Sequence, residues 1–95
     1  MEHLYVISYD IANDKRWRQV FRIMKAYGEW LQFSVFQCRL DRLRMVQIQD
    51  ELNQAIHHRE DHVLIFDLGP VDGVSPRVIS LGKGFDPVKR EAMIF

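Results

Sequence analysis

Cysteine is nearly missing from this chain: Cys38 is the only one in 95 residues. That excludes an intramolecular disulfide and a cysteine-built zinc site, suits a reducing compartment, and makes the cytoplasm the expected location. Net charge is missing too. Thirteen Lys and Arg stand against thirteen Asp and Glu, so no overall excess argues for a polyanionic partner and local charge has to carry any such case. Long apolar runs are also lacking. The stretch that follows Met1 is broken at Asp10, too short and too polar for a signal peptide or a membrane span, so no membrane association is expected. Without repeats, low-complexity tracts or linkers, residues 1–95 read as a single domain, and an apolar content of 47% is enough for one core.

What is present is a regular alternation of elements. Leu4 to Tyr9 is rich in aromatic and β-branched residues and carries apolar side chains at both parities, so it reads as a strand buried on both faces. Asn13 or Asp14 then caps a helix in which Trp17, Val20, Phe21, Met24 and Tyr27 recur at helical spacing, with Gly28 as its stop. Trp30 to Leu40 reads as one extended segment, and Asp41 opens a second helix striped by Met45, Ile48, Leu52, Ala55 and Ile56. His62 to Leu68 is a third strand, Gly69 to Pro76 a surface loop, and Arg77 to Leu81 a fourth strand before the turn at Gly82, Lys83 and Gly84.

The order β-α-β-α-β-β is compatible with an α+β, ferredoxin-like (split βαβ) two-layer sandwich, given an extra edge pairing from Met93 to Phe95. Two helices cover one face of an antiparallel four-stranded sheet. The first and third strands are apolar on both sides, so the other face predicts a second copy of the chain and a homodimer.

Asp10 ends the first strand, where a carboxylate stays hydrated and can meet a ligand at the sheet edge; it is the best metal candidate, the alternative being a residue that merely ends a strand. Residues 14–25 hold Lys15, Arg16, Arg18, Arg22 and Lys25 against Asp14 alone. Such a face binds a phosphate backbone, or is an ordinary solvated helix surface. His57, His58 and His62 straddle a helix end and read as solvent-facing, while Cys38 reads as a small core residue. Tyr5, Tyr9, Phe33 and Phe36 could stack on bases as a sheet platform does, with core or dimer packing as the blander use, and Ser34 is a polar group beside Phe36 on one strand face.

Taken together, Tyr9, Asp10 and Ile11, the Lys15–Arg16 pair, Tyr27 and Gly28, and the run Gln32, Phe33, Ser34, Val35, Phe36 resemble the small CRISPR-associated adaptation endonucleases, the Cas two family. The resemblance covers about the first forty residues by motif and the rest by architecture. It implies a ferredoxin-like homodimer in which residues 82–95 form a tail pairing with the other subunit. It implies Asp10 as the catalytic residue and Mg²⁺ ligand of an endonuclease that cuts single-stranded RNA and, in some members, double-stranded DNA.

By the same resemblance Tyr9 and Arg16, with Lys15, Arg18 and Arg22, are expected at the nucleic acid, and Ser34 and Phe36 match motif or structural positions. The family also forms the dimeric subunit of the complex that inserts captured DNA into the CRISPR array, beside an integrase subunit that carries the strand transfer. In that role Arg77, Lys83, Lys89 and Arg90 would also track phosphates. The alternatives are a non-catalytic DNA-bridging scaffold, a toxin-type messenger-RNA nuclease on the same fold, and a plain RNA-binding module.

Overall fold

The structure is a computed structural model and describes residues 1–72 and 79–82. Within them run β1 (His3–Asp10), α1 (Asp14–Tyr27), β2 (Glu29–Gln32), β3 (Val35–Leu40), α2 (Arg42–Ala55) and β4 (His62–Pro70). Both helices start on a side-chain cap. The Asn13 Oδ1 accepts the Arg16 N–H at 2.9 Å and the Asp41 Oδ1 accepts the Arg44 N–H at 2.8 Å, each satisfying a backbone donor that the first helical turn leaves open. Helix α1 stops at Gly28, whose N–H still reaches the Met24 carbonyl at 2.9 Å.

Two expectations about strands need correction. The segment 30–40 is not one strand but a hairpin, β2 and β3, turning at Phe33 and Ser34. No described non-glycine residue has a positive φ, so the turn is not of the mirror-image kind whose Asn-Gly or Gly-X signature marks a hairpin in sequence. It is held from outside instead: the Trp30 indole N–H donates to the Phe33 carbonyl at 3.0 Å, and the Tyr9 N–H donates to the Ser34 carbonyl at 3.1 Å. A register shift between Trp30 and Gln32 absorbs the misfit.

The second correction follows from the first. The sheet takes its fourth strand from β2; of the expected strand at Arg77–Leu81, Ile79, Ser80 and Leu81 are described and lie outside any strand, while residues 77 and 78 lie outside the described residues. The order is therefore βαββαβ, the ferredoxin-like scheme itself, in an antiparallel sheet ordered β2-β3-β1-β4. Strand β4 also runs past Leu68 to Pro70. It passes through a bulge against β1 in which Gly69, at φ 94°, takes the left-handed conformation that suits glycine. Of the expected turn at 82–84 and the 82–95 tail, Gly82 is described, while the basic residues Arg77, Lys83, Lys89 and Arg90 and the pairing at 93–95 lie outside the described residues.

Alternation along the strands sorts the two faces. Ile7 and Tyr9 of β1 and Phe36, Cys38 and Leu40 of β3 are buried together under Val20 and Met24 of α1 and Met45, Ile48 and Leu52 of α2. Cys38 is the core residue that the sequence suggests, and burial pushes its thiol up to about 12, with Glu29 adding to the shift. On the other face stand Leu4, Val6 and Ser8 of β1 with Leu64, Phe66 and Leu68 of β4. The last three are 44, 48 and 59% exposed, and no described element covers them. Among the described residues no helix is long and apolar enough to cross a membrane.

Where α1 hands over to β2, the chain passes so close to β3 that a Cβ on Gly28 would overlap the Cys38 sulfur and the Gln37 carbonyl oxygen. The backbone carbonyl belongs to the sheet ladder and cannot step aside. Gly28→Ala is expected to cost about 2 kcal/mol, as overpacking does, and to lower the melting temperature by about 10 °C. A melting curve unchanged from that of the parent chain would mean that no such close approach exists.

Candidate metal and nucleic-acid site

Parity on β1 separates two neighbours. Tyr9 points under the helices and is 4% exposed, whereas Asp10, one residue on, is exposed at the strand's end. Beside it opens a recess of about 470 Å³ lined by Asp10, Asp14, Trp17, Phe33 and Ser34, with Tyr9 and Ile11 completing its wall. Asp14 reaches the recess because it is the first residue of α1, and Ser34 because the hairpin turn brings it under Trp17, whose indole N–H donates to Ser34 Oγ at 2.9 Å. The lining thus includes two carboxylates, Asp10 and Asp14, and the hydroxyl-bearing side chains of Ser34 and Tyr9, and carboxylates are oxygen donors of the kind a hard divalent cation takes. No group of three His, Cys, Asp or Glu is arranged to hold a metal among the described residues.

The other expected site residues divide into two sets. Lys15, Arg18 and Arg22 are exposed on α1 at spacings of three and four, on the side away from buried Val20 and Met24, and form no ion pair among the described residues. Phe33 stands 72% exposed at the mouth of the recess, stacked on Trp17 with ring centroids 5.4 Å apart.

Tyr9, Arg16 and Phe36 make contacts within the fold. Phe36 is fully buried, and the Tyr9 ring stacks on it at 6.3 Å. Both rings are thus packed in the core, and Tyr9 at the same time lines the inner wall of the recess. The Tyr9 hydroxyl finds no hydrogen-bond partner among the described residues, and burial raises its pKa.

Arg16 is engaged by two acids. Its Nε donates to Asp61 Oδ2 at 2.7 Å, its Nη2 to Asp61 Oδ1 at 3.2 Å, and the same Nη2 to Glu60 Oε1 at 3.0 Å. Charge-assisted bonds of this paired kind are among the stronger ones a guanidinium makes. Asp61 itself went unnoticed in the sequence. Its side chain is fully buried, and it accepts the Ala12 N–H at 2.9 Å and the His57 N–H at 2.7 Å as well as Arg16. The Arg16 bond, then the two backbone donors, hold its carboxyl well below the usual carboxylate range. Only His57 lies near it in sequence, so no local pattern announces the cluster. The histidines are exposed as expected. His62 is the register partner of Asp10 across β1 and β4, and His58 Nε2 lies 3.0 Å from the Asn53 carbonyl.

Residues 3–72 match the family model described as CRISPR associated protein Cas2. The chain belongs to the Cas2 family. A CRISPR-associated endoribonuclease Cas2 from Geobacter sulfurreducens is 56% identical over 94 residues, covering 99% of both chains. Among solved structures, Cas2 of Streptococcus pyogenes at pH 6.5 superposes with a TM-score of 0.70 at 29% identity, covering 83% of this chain and 99% of that one. A chain of a partial Cas6-RT-Cas1–Cas2 complex matches with a TM-score of 0.65 at 25% identity, covering 83% of this chain and 91% of its own. The family match spans all six elements and the recess, so this Cas2 sequence carries the ferredoxin-like fold with Asp10 at the end of its first strand.

Two outcomes follow from the side-chain environments. Tyr9→Phe removes a buried hydroxyl that has no partner among the described residues, so it is expected to leave the fold as stable or raise its stability by about 1 kcal/mol; a clear loss on thermal melting would mean that the hydroxyl has a partner after all. Asp61→Asn removes an ion pair and weakens two backbone acceptor bonds, an expected loss of about 2 kcal/mol at neutral pH. Because the folded pKa of Asp61 is depressed, this contribution is full above the ordinary aspartate range and fades as pH falls below about 4. Melting curves of the two proteins should converge in acid, and a gap that stays constant down to about pH 2 would contradict the assignment.

Proposed function

We propose that this member of the Cas2 family is a Mg²⁺-dependent endonuclease that hydrolyses phosphodiesters in single-stranded RNA, with double-stranded DNA as a second substrate. It acts in CRISPR adaptive immunity as the dimeric subunit of the spacer-acquisition complex. The observation that carries the reading is Asp10: in a chain of this family it stands exposed at the strand end, beside a recess also lined by Asp14 and Ser34. The donor set is oxygen throughout, which fits Mg²⁺, an ion commonly held by one or two carboxylates with water and phosphate completing the shell.

Asp10 and Asp14 are the residues that would hold the ion. When bound, Mg²⁺ supplies a polarised phosphoryl oxygen and a water activated at neutral pH. The chain's own residues do the rest. Lys15, Arg18 and Arg22 hold phosphates along the outward face of α1, which begins at the recess, and the open face of Phe33 offers a base a stacking surface.

A homodimer belongs to this reading. Leu64, Phe66 and Leu68 stand partly in water on a face that the chain's own helices do not reach, and burying each such side chain is worth about 1.5–3 kcal/mol. Strand β4 is also the sheet's edge, so residues 82–95 of a partner have a row of backbone groups to pair with. The matched Cas1–Cas2 complex supports an integrase subunit as the further partner. A cytoplasmic location goes with these nucleic-acid substrates.

A second reading has an observation of its own. With two carboxylates near one another and no larger ligand group among the described residues, the chain also fits a DNA-bridging scaffold whose contacts need no hydrolysis.

The deciding experiment compares the parent chain with Asp10→Ala on single-stranded RNA and on duplex DNA, with Mg²⁺ and with chelator, once solution mass has established that both are dimers. Metal-dependent cleavage by the parent and none by the variant is the expected result. Equal cleavage by both would mark a contaminant, and none by either would leave the scaffold.

A further inference from the structure

Arg16 and Asp61 form the most completely hydrogen-bonded charged pair among the described residues, and its position has a consequence for Asp10. The loop from Asp10 to α1 is three residues long, Ile11 to Asn13. Its middle residue, Ala12, donates its N–H to Asp61 Oδ1, and Arg16, on the first turn of α1, closes on both oxygens of the same carboxylate. The His57 N–H fixes Asp61 from the other side, between α2 and β4. One buried carboxylate therefore ties the exit of β1, the start of α1 and the approach to β4 into a single piece.

The two carboxylates of the recess sit at the two ends of that tied loop, Asp10 before it and Asp14 after it. Their separation is set by the loop's path, and among the described residues the loop's one bond to a side chain outside its own helix is the one from Ala12 to Asp61. Holding a divalent cation between two carboxylates demands a fixed spacing, because Mg²⁺ and Mn²⁺ tolerate little departure from octahedral geometry.

We infer that Arg16 and Asp61 are positioning residues for the metal-holding carboxylates, acting through the Ala12 backbone, and that Arg16 is not a phosphate contact. The inference rests on the reading of Asp10 as a metal ligand. It also gives the basic residues of α1 separate roles, with Lys15, Arg18 and Arg22 facing outward to a polyanion and Arg16 facing inward to Asp61.

Two measurements on the full-length dimer test it. The first is Mn²⁺ binding, read from the free-ion electron paramagnetic resonance signal, for the parent chain, Arg16→Gln, Asp61→Asn, the double variant and Asp10→Asn. Arg16→Gln and Asp61→Asn should each weaken Mn²⁺ binding by about tenfold, the usual effect of losing a group that orients a ligand. The double variant should be no worse than either single one, because the two side chains act as a unit. The second is the salt dependence of single-stranded RNA binding in chelator. Arg18→Gln should reduce the slope by about 0.7, while Arg16→Gln should leave it unchanged.

If Arg16→Gln binds Mn²⁺ as the parent does and lowers the salt slope as Arg18→Gln does, Arg16 is a phosphate contact and the inference is overturned. Should Asp10→Asn bind Mn²⁺ as well as the parent, the metal reading itself fails and takes the inference with it, a result recognisable because the Asp10 substitution alone produces it. Asp61→Asn is the variant most exposed to loss of folding. Arg16→Gln, at the partly solvated end of the pair, carries the test without it.

Discussion

Two helices span only one face of a four-stranded sheet, and that shortage governs the rest of the molecule. With α1 and α2 on the same side, every strand has a covered parity and an uncovered one. On β1 the covered positions are Tyr5, Ile7 and Tyr9, and the uncovered ones Leu4, Val6, Ser8 and Asp10. The tyrosine is thereby committed to packing and the carboxylate beside it to solvent, by pleat alone. On β4 the same parity leaves Leu64, Phe66 and Leu68 without cover. A single constraint thus leaves both the Asp10 carboxylate and an apolar strip of β4 without helical cover.

The recess at the end of β1 is built from pieces that meet only in three dimensions. Asp10 comes from a strand end, Asp14 from a helix start, and Phe33 and Ser34 from a hairpin turn. Aromatic packing sets their relative places: Trp17 stacks between Phe21 at 5.2 Å and Phe33 at 5.4 Å while its indole N–H fixes Ser34. Such offset stacks add about 1 kcal/mol each beyond the area they bury. Below this layer, Asp61 gathers donors from three parts of the chain. A buried carboxylate with fewer partners would be a liability, so its full complement of hydrogen bonds is what makes its burial tolerable.

Charge illustrates how composition and placement differ. A chain neutral overall concentrates its cations on α1, and the fold then divides them. Lys15, Arg18 and Arg22 stay on the outward face, Arg16 turns inward to an acid, and Lys25 lies 5.4 Å from the Phe21 ring centroid. Spacing on a helical wheel gives the first group. It does not separate Arg16 from its neighbours, because an acidic residue forty-five positions away decides where its guanidinium goes.

Helix spans, caps, the strands at either end of the described region and the core stripe of each helix were legible in the residues themselves, because periodicity and capping are local properties of the chain. Asp10 was legible for the same reason: a strand's last polar residue needs no partner to be found. The hairpin at Phe33 and Ser34 was not, since its turn lacks glycine and is held by Trp30 and by the Tyr9 backbone. Nor were the burial of Tyr9, the capture of Arg16 or the role of Asp61, which depend on contacts between segments far apart in sequence. Sequence by itself determined the two helices, the strands β1 and β4, and which residues have the chemistry for a site. Tertiary structure alone decided which of those residues face solvent and which are spent on holding the fold, because exposure and ion pairing are settled by neighbours that the fold, not the chain order, supplies.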